Sequence, residues 1–452
     1  MKPFPGIQIR SAALPVSSFG IIATITAILI SIAVVQRNII VLTAITALAL
    51  VILSPVVVSL GVFAVLVPFD QVLVLRNSAI TITWIAGAFA GFTLIVYGLA
   101  NGRFRSPPIA GLYWGLFVLW SATSALWAID PLTSLKSLPT VATLFGFYIV
   151  AVSFRFRTRE LARILFFTVA GGCFTAALIV LQFAYHLNEE GRASLILGDQ
   201  KSNPNDLSFS LLLPFSFALA GALSQKNLFK RTVFLTAVGL IGVAIFLAMS
   251  RGSLIALSAL MLVYLFRFGV SKRLLLPVLV LAIPLFSLPN LFYQRLAQAS
   301  TSRGTGRYDV WLAGLEIVKR HPMTGVGLAN FPLEYHNVAG YAQVFHGYTR
   351  VAHNTFLGVF GETGVIGVSL FMAAIWSQIK VMRRALLSHG YHPSIGIASE
   401  AACWGQLVMG LSGDIEWQKS FWFALTLLAL IAQNLSESRL AGLEIIGNAP
   451  QL

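Results

Sequence analysis

"ILFFTVAGGCFTAALIVLQFAY", residues 164–185, runs through 22 positions without a charged side chain. Wound as an α-helix rising about 1.5 Å per residue, such a run crosses a hydrocarbon core of about 30 Å. It does not alternate apolar and polar residues, which argues against a barrel strand. Comparable runs recur along the chain, among them 19–35, 80–100 and 421–435. With 57% hydrophobic and only 10% charged residues in 452, the sequence reads as an all-α, polytopic membrane protein of about 12–14 spanning helices. The count turns on whether 39–67 crosses once or twice around Ser54 and Pro55. The first run follows Lys2 and Arg10 without an A-x-A cleavage pattern and is read as a retained helix. Cys173 and Cys403 lie inside apolar runs, where a disulfide or metal site is not expected.

Basic clusters at Arg103/Arg105, Arg155/Arg157/Arg159, Lys226/Lys230/Arg231, Arg267/Lys272/Arg273 and Lys380/Arg383/Arg384 occupy every second connection. The positive-inside rule assigns these, and both termini, to the cytoplasm. Four segments result: N-terminal helices over 1–183, further helices with an Asn/Asp-rich outer connection over 184–288, one large outer (periplasmic) loop over 289–350, and C-terminal helices with a cytoplasmic tail over 351–452.

That loop breaks the charge pattern. It carries Arg295, Arg303, Arg307, Lys319, Arg320 and Arg350 against Asp309, Glu316 and Glu334, an excess of positive charge on the disfavoured side. An anionic ligand or lipid head groups would offset it. "YDVWLAGLEIVKRHP" (308–322) reads as an amphipathic helix with Val310, Trp311, Leu315 and Val318 on one side, stopped by Pro322, and "TGVGLANF" (324–331) as a tight turn. Three further features point outward. Arg251 in "AMSRGSL" sits between apolar runs with no room for a loop; its guanidinium offers a bidentate fork for phosphate, or else anchors a helix end. Asn205 and Asp206 in "LGDQKSNPNDLSFS" are helix caps or contacts to sugar hydroxyls. His353 opens the apolar stretch "HNTFLGVFGETGVIG", where an imidazole costs desolvation free energy unless it is hydrogen-bonded or at work. If that helix begins early, His346 and Arg350 share its face. Glu362, nine residues on, falls on the opposite face of a straight helix. Asp414 and Glu416 read as part of an outer turn beside Trp417 and Lys419.

His353-Asn354 followed by Gly364-Val365-Ile366-Gly367 resembles the signature of the bacterial O-antigen ligase and polymerase family. So do "GTGRYDVWLAGLEIVKRHPMTGVGLANF" (304–331), "SNPND" (202–206), "SRGSLIAL" (250–257) and "DIEWQKSFWFAL" (414–425). The resemblance spans about residues 190–435 in separate blocks.

It implies a membrane-embedded glycosyltransferase of GT-C type in the bacterial inner membrane. Such enzymes move a glycan from an undecaprenyl diphosphate carrier to an acceptor hydroxyl on the periplasmic side, without cofactor, nucleotide sugar or metal. Arg251, Arg307 and His353 fall on the family's essential basic positions. The arginines suit the leaving diphosphate and His353, with an ordinary imidazole pKa of about 6.5, suits the general base of an inverting displacement. Arg303, Arg350, Asn205, Asp206 and His346 are the expected substrate contacts. The partners implied are the lipid-linked donor, lipid A core or a glycan acceptor, and membrane lipid. Lipid A core as acceptor makes the protein a ligase; a second lipid-linked glycan would make it an O-antigen or exopolysaccharide polymerase. A transporter of lipid-linked glycans is the reading from another class, against which the charges gather at one face rather than at the bilayer midplane.

Overall fold

The computed structural model describes residues 56–75, 81–185, 192–269, 306–341, 349–388 and 394–440. Two units partition the chain, Met1–Val58 and Ser59–Leu452, and the architecture below is that of the second. Among the described residues its elements are helical apart from one two-stranded hairpin. After α1 (Val56–Leu66) come α2 (Ile82–Asn101), α3 (Ile109–Thr123), α4 (Pro131–Ser153) and α5 (Thr158–Ala184). The hairpin pairs β1 (Ile196–Leu197) with β2 (Gln200–Lys201). Then follow α6 (Pro204–Ser210), α7 (Leu212–Ser224), α8 (Leu228–Leu247), α9 (Arg251–Phe268), α10 (Arg307–Arg320), α11 (Phe331–Val338), α12 (Thr355–Ser388), α13 (Ser394–Gly410) and α14 (Lys419–Leu440). Eight helices among the described residues are long and apolar enough to cross a membrane. The chain is therefore an all-α, multi-pass membrane protein, while 1–55 and 270–305, on which the expected total of 12–14 depends, lie outside the described residues.

Local chemistry sets the helix starts. Thr81, Asp130, Asn203 and Ser250 each accept a backbone N–H of the first turn through the side chain, and prolines follow Asp130 and Asn203 where a missing N–H costs nothing. The cap before α6 is thus Asn203, not Asn205 or Asp206, which stand inside the first turn. α6 and α7 together form the most enclosed span, 94% buried, packed by α5, α8 and α13. Inside the bundle polar groups meet each other rather than lipid. Trp114 Nε1 donates to Gln378 Oε1 and Gln378 Nε2 to the Leu425 carbonyl, joining α3, α12 and α14. Ser216 Oγ donates to the Ala398 carbonyl and Tyr264 Oη to the Ser216 carbonyl.

Three of the basic clusters assigned to one face are paired. Arg103 forks onto Glu160, Arg105 meets Glu437, and Arg267 and Arg383 share the buried Glu400. Among the described residues of the loop, the charges of Lys319 and Arg320 are compensated within the chain. Lys319 and Arg320 reach Glu316, while Arg320 and His321 reach Glu334 at 3.9 and 3.7 Å.

α10 ends at Arg320, ahead of Pro322, but its packed face differs from the expected one. Val310, Ala313, Gly314 and Ile317 are buried while Leu315 is half exposed. The seam is built on small residues because Leu357 of α12 and Phe331 of α11 press against Gly314. Of the expected stripe Val310 is buried, Trp311 and Val318 are half-buried and Leu315 is exposed, so a stripe chosen by size misses the small residues that form the seam.

The expectation of a straight helix after His353 also fails. α12 breaks at Gly364 (φ 67°, ψ −170°), and the glycine turn 322–327 fills the break. Val326 and Gly327 N–H donate to the carbonyls of Gly361 and Glu362, and Val365 N–H donates to that of Pro322. The Glu362 carboxylate accepts from the backbone N–H of Ala329 and Phe331, ahead of α11. A Cβ at Gly364 would stand 2.1 Å from the Met323 carbonyl oxygen, and one at Gly325 (φ 70°) 2.3 Å from the Glu362 carbonyl carbon. Glycine is required at both by conformation and by contact.

Candidate active site

The segment before α12 shows why His and Asn stand together. Asn354 caps the helix, its Oδ1 accepting from Phe356 N–H (3.0 Å) and Leu357 N–H (3.2 Å). His353 directly precedes it in the left-handed region, φ 49°. Helix begins only at Thr355, so Arg350 does not share a helical face with His353. It is exposed and acts electrostatically on Tyr335, whose phenol burial pushes up from its ordinary pKa while Arg350 opposes that shift. Arg303 and His346 lie outside the described residues.

Thr355 docks this segment on the turn between α13 and α14. Its N–H donates to the Gly413 carbonyl at 3.0 Å, its Oγ1 lies 2.8 Å from Glu416 Oε2, and Ile415 N–H donates to its Oγ1. Docked this way, His353 Nδ1 faces Asp414 Oδ2 at 3.4 Å, with the two side chains 37% and 28% exposed, open enough for a substrate to reach. The same turn receives α9. Gly252 lies so close to it that a Cβ would stand 2.2 Å from Ser412 Oγ, and this seats Arg251 at the helix start beside the turn.

Arg307 opens α10 from the other direction. Burial lowers its guanidinium pKa first, the nearby charge of Arg251 lowers it further, and Asp414 opposes both. Two arginines therefore share one neighbourhood with Asp414, the carboxylate that also faces the imidazole. Glu416 is buried behind Asp414, and burial together with that neighbour pushes its carboxyl pKa up to about 8. On the acidic side, Asp206 accepts from Gln71 Nε2 (2.6 Å) and Gln418 Nε2 (3.0 Å) and feels the charges of Asp414 and His353. Asn205 is held by Arg192, whose guanidinium also reaches the Ala248 carbonyl.

Of the residues expected from sequence, Arg251, Arg307, His353 and Asp206 thus converge, and Asn205 stands next to Asp206 in α6. Asp414, which reads in the sequence as part of an ordinary outer turn, is a group that both Arg307 and the imidazole of His353 feel. Its one available signal was position: an acid in a short turn between two apolar runs, in a block resembling the family.

These features define a multi-pass membrane protein with clustered basic residues, an imidazole and carboxylates at one end of its helices. Residues 235–372 match a family model described as O-antigen ligase, and no curated protein matches the chain. Over these residues the chain is therefore similar to the family described as O-antigen ligase. The match covers 138 of 452 residues and includes Arg251, Arg307 and His353, whereas Asp206 and Asp414 lie outside it.

Proposed function

We propose that this protein is an O-antigen ligase-like glycosyltransferase of the bacterial inner membrane, acting on the periplasmic side. It transfers a glycan from undecaprenyl diphosphate to a hydroxyl of lipid A core. The observation that supports the reading is the grouping of four residues distant in sequence: Arg307 feels the charges of both Arg251 and Asp414, and His353 Nδ1 stands 3.4 Å from Asp414.

The guanidinium pair binds the diphosphate and stabilises the negative charge that grows on it as the anomeric C–O bond breaks, a gain larger in the transition state than in the ground state. With Nδ1 facing the Asp414 carboxylate, the imidazole proton sits on Nδ1 and Nε2 accepts the proton of the acceptor hydroxyl. The hydroxyl oxygen attacks the anomeric carbon from the face opposite the diphosphate, so one C–O bond forms as the other breaks and the configuration inverts. Asp414 holds the ring and stabilises the imidazolium that results. The guanidinium pair does at the diphosphate what a divalent cation does in other transferases.

The test is transfer by the purified protein in detergent, supplied with lipid-linked glycan and lipid A core. Formation of glycan-capped core with inverted linkage is expected. Transfer only to a second lipid-linked glycan would make the protein a polymerase, and no transfer to either acceptor would overturn the reading.

A further inference from the structure

Next to this cluster lies a small cleft of about 50 Å³, open at its mouth, whose walls include Val67, Asp70, Gln71, Asp206, Gln418 and Lys419. The polar groups are tied into a fixed array. Gln71 donates to Asp206 while its Oε1 accepts Asn203 N–H at 2.7 Å. Gln418 Nε2 bridges Asp206 and the Asp414 carbonyl, each at 3.0 Å. Lys419 Nζ donates to Asp70 Oδ1 at 2.5 Å and Thr81 Oγ1 at 3.0 Å. Capacity is left over: Asp206 takes two hydrogen bonds where a carboxylate has about four lone-pair positions, and an ammonium has a third proton beyond the two that Lys419 commits. Apolar surface from Val67, Pro68 and Leu207 lies among these groups.

Carboxylates, amides and an ammonium tied to one another beside apolar wall residues match the hydroxyl-bearing edge of a pyranose, whose ring extends out through the mouth. The formal charge of Asp70, Asp206 and Lys419 sums to −1, opposite in sign to the arginine pair. We infer that this cleft is the acceptor subsite of the transfer proposed above, and that it binds a neutral or amino sugar of the acceptor through its hydroxyls. A diphosphate is repelled from it and drawn to the arginines, so donor and acceptor are sorted by charge. Gln418 links the cleft wall to Asp414, and through Asp414 to His353, which keeps a sugar seated here within reach of the base.

Binding tests this independently of turnover. The full chain in detergent is titrated calorimetrically with three probes: dephosphorylated core oligosaccharide freed of lipid A, the same oligosaccharide ending in a uronic acid, and undecaprenyl diphosphate. The wild type is expected to bind the neutral oligosaccharide at least about tenfold tighter than the acidic one. Gln71→Ala and Asp206→Asn each weaken neutral oligosaccharide binding about tenfold, Asp206→Asn narrows the neutral-over-acidic preference, and Gln71→Ala binds undecaprenyl diphosphate as the wild type does, which also reports that it is folded. Oligosaccharide affinity unchanged in both variants, or a preference for the acidic probe, overturns the assignment. If these binding results hold but no transfer is seen, the cleft is a sugar site and the transferase reading alone falls.

Discussion

His353 carries a φ of 49°, a backbone state that costs a residue with a side chain roughly 1–3 kcal/mol unless its surroundings enforce it. Here the Asn354 cap and the docking of Thr355 on the 413–416 turn enforce it, and the return is an imidazole aimed at Asp414. His353→Gln keeps a polar amide but no base, so transfer should fall by about 10²–10⁴-fold with donor binding intact. Asp414→Asn should cost a comparable order, and the double variant little more than His353→Gln alone, because Asp414 acts through the ring. Additive losses in single-turnover rates would separate the two residues. Arg251→Lys and Arg307→Lys should each retain only part of the activity and weaken undecaprenyl diphosphate binding, since lysine lacks the bidentate fork. Glu416 supports a prediction about stability. Its folded pKa is raised to about 8 from an ordinary 4.5, so its contribution is complete below about 4.5 and lost as the pH climbs toward 8. Glu416→Gln, which copies the neutral acid, should flatten that alkaline loss when melting temperature is followed from pH about 5 to about 9. At this scale Arg251, Arg307 and His353 were readable in the sequence because a basic side chain in or beside an apolar run must be paired, snorkelling or functional. Asp414 was not, since its importance comes from a histidine 61 positions earlier, a contact that only the packed turn creates.

Pro322 announced the end of α10, whereas the cap of α6 falls on Asn203 rather than on Asn205 or Asp206, and helix faces were harder still to read. The apolar runs show that α12 belongs in the membrane, but not that it breaks after nine residues to admit the glycine turn of another segment. Nor does a stripe of large residues reveal that α10 packs through Ala313 and Gly314. Gly364→Ala and Gly325→Ala test the interlock. Each puts a Cβ in a left-handed position against backbone, so each should lower stability by about 2 kcal/mol or more, seen as a drop in melting temperature in detergent. Gly340→Ala, where an added Cβ meets nothing within 4 Å, serves as the control.

Across the molecule, charge is arranged by role. Arg103, Arg105, Arg267 and Arg383 are matched to carboxylates, and Glu316 and Glu334 answer the basic groups at the end of α10. Arg251 instead acts on Arg307 as a like charge, opposed by Asp414, and an arriving anion would relieve the repulsion further. If that anion is a diphosphate, guanidinium groups supply its counter-charge, and transfer should survive exhaustive EDTA treatment; loss on chelation with recovery in Mg²⁺ would put a cation into the mechanism. The seating of turn 322–327 in the gap of α12 bears on how such enzymes can be re-engineered. Segments some 40 residues apart are cut to fit one another, so the smallest exchangeable cassette between two relatives runs from Gly306 through Val365. A chimera that swaps only 306–341 would bring a foreign turn to a native notch, and should fail to accumulate in the membrane where the longer exchange succeeds.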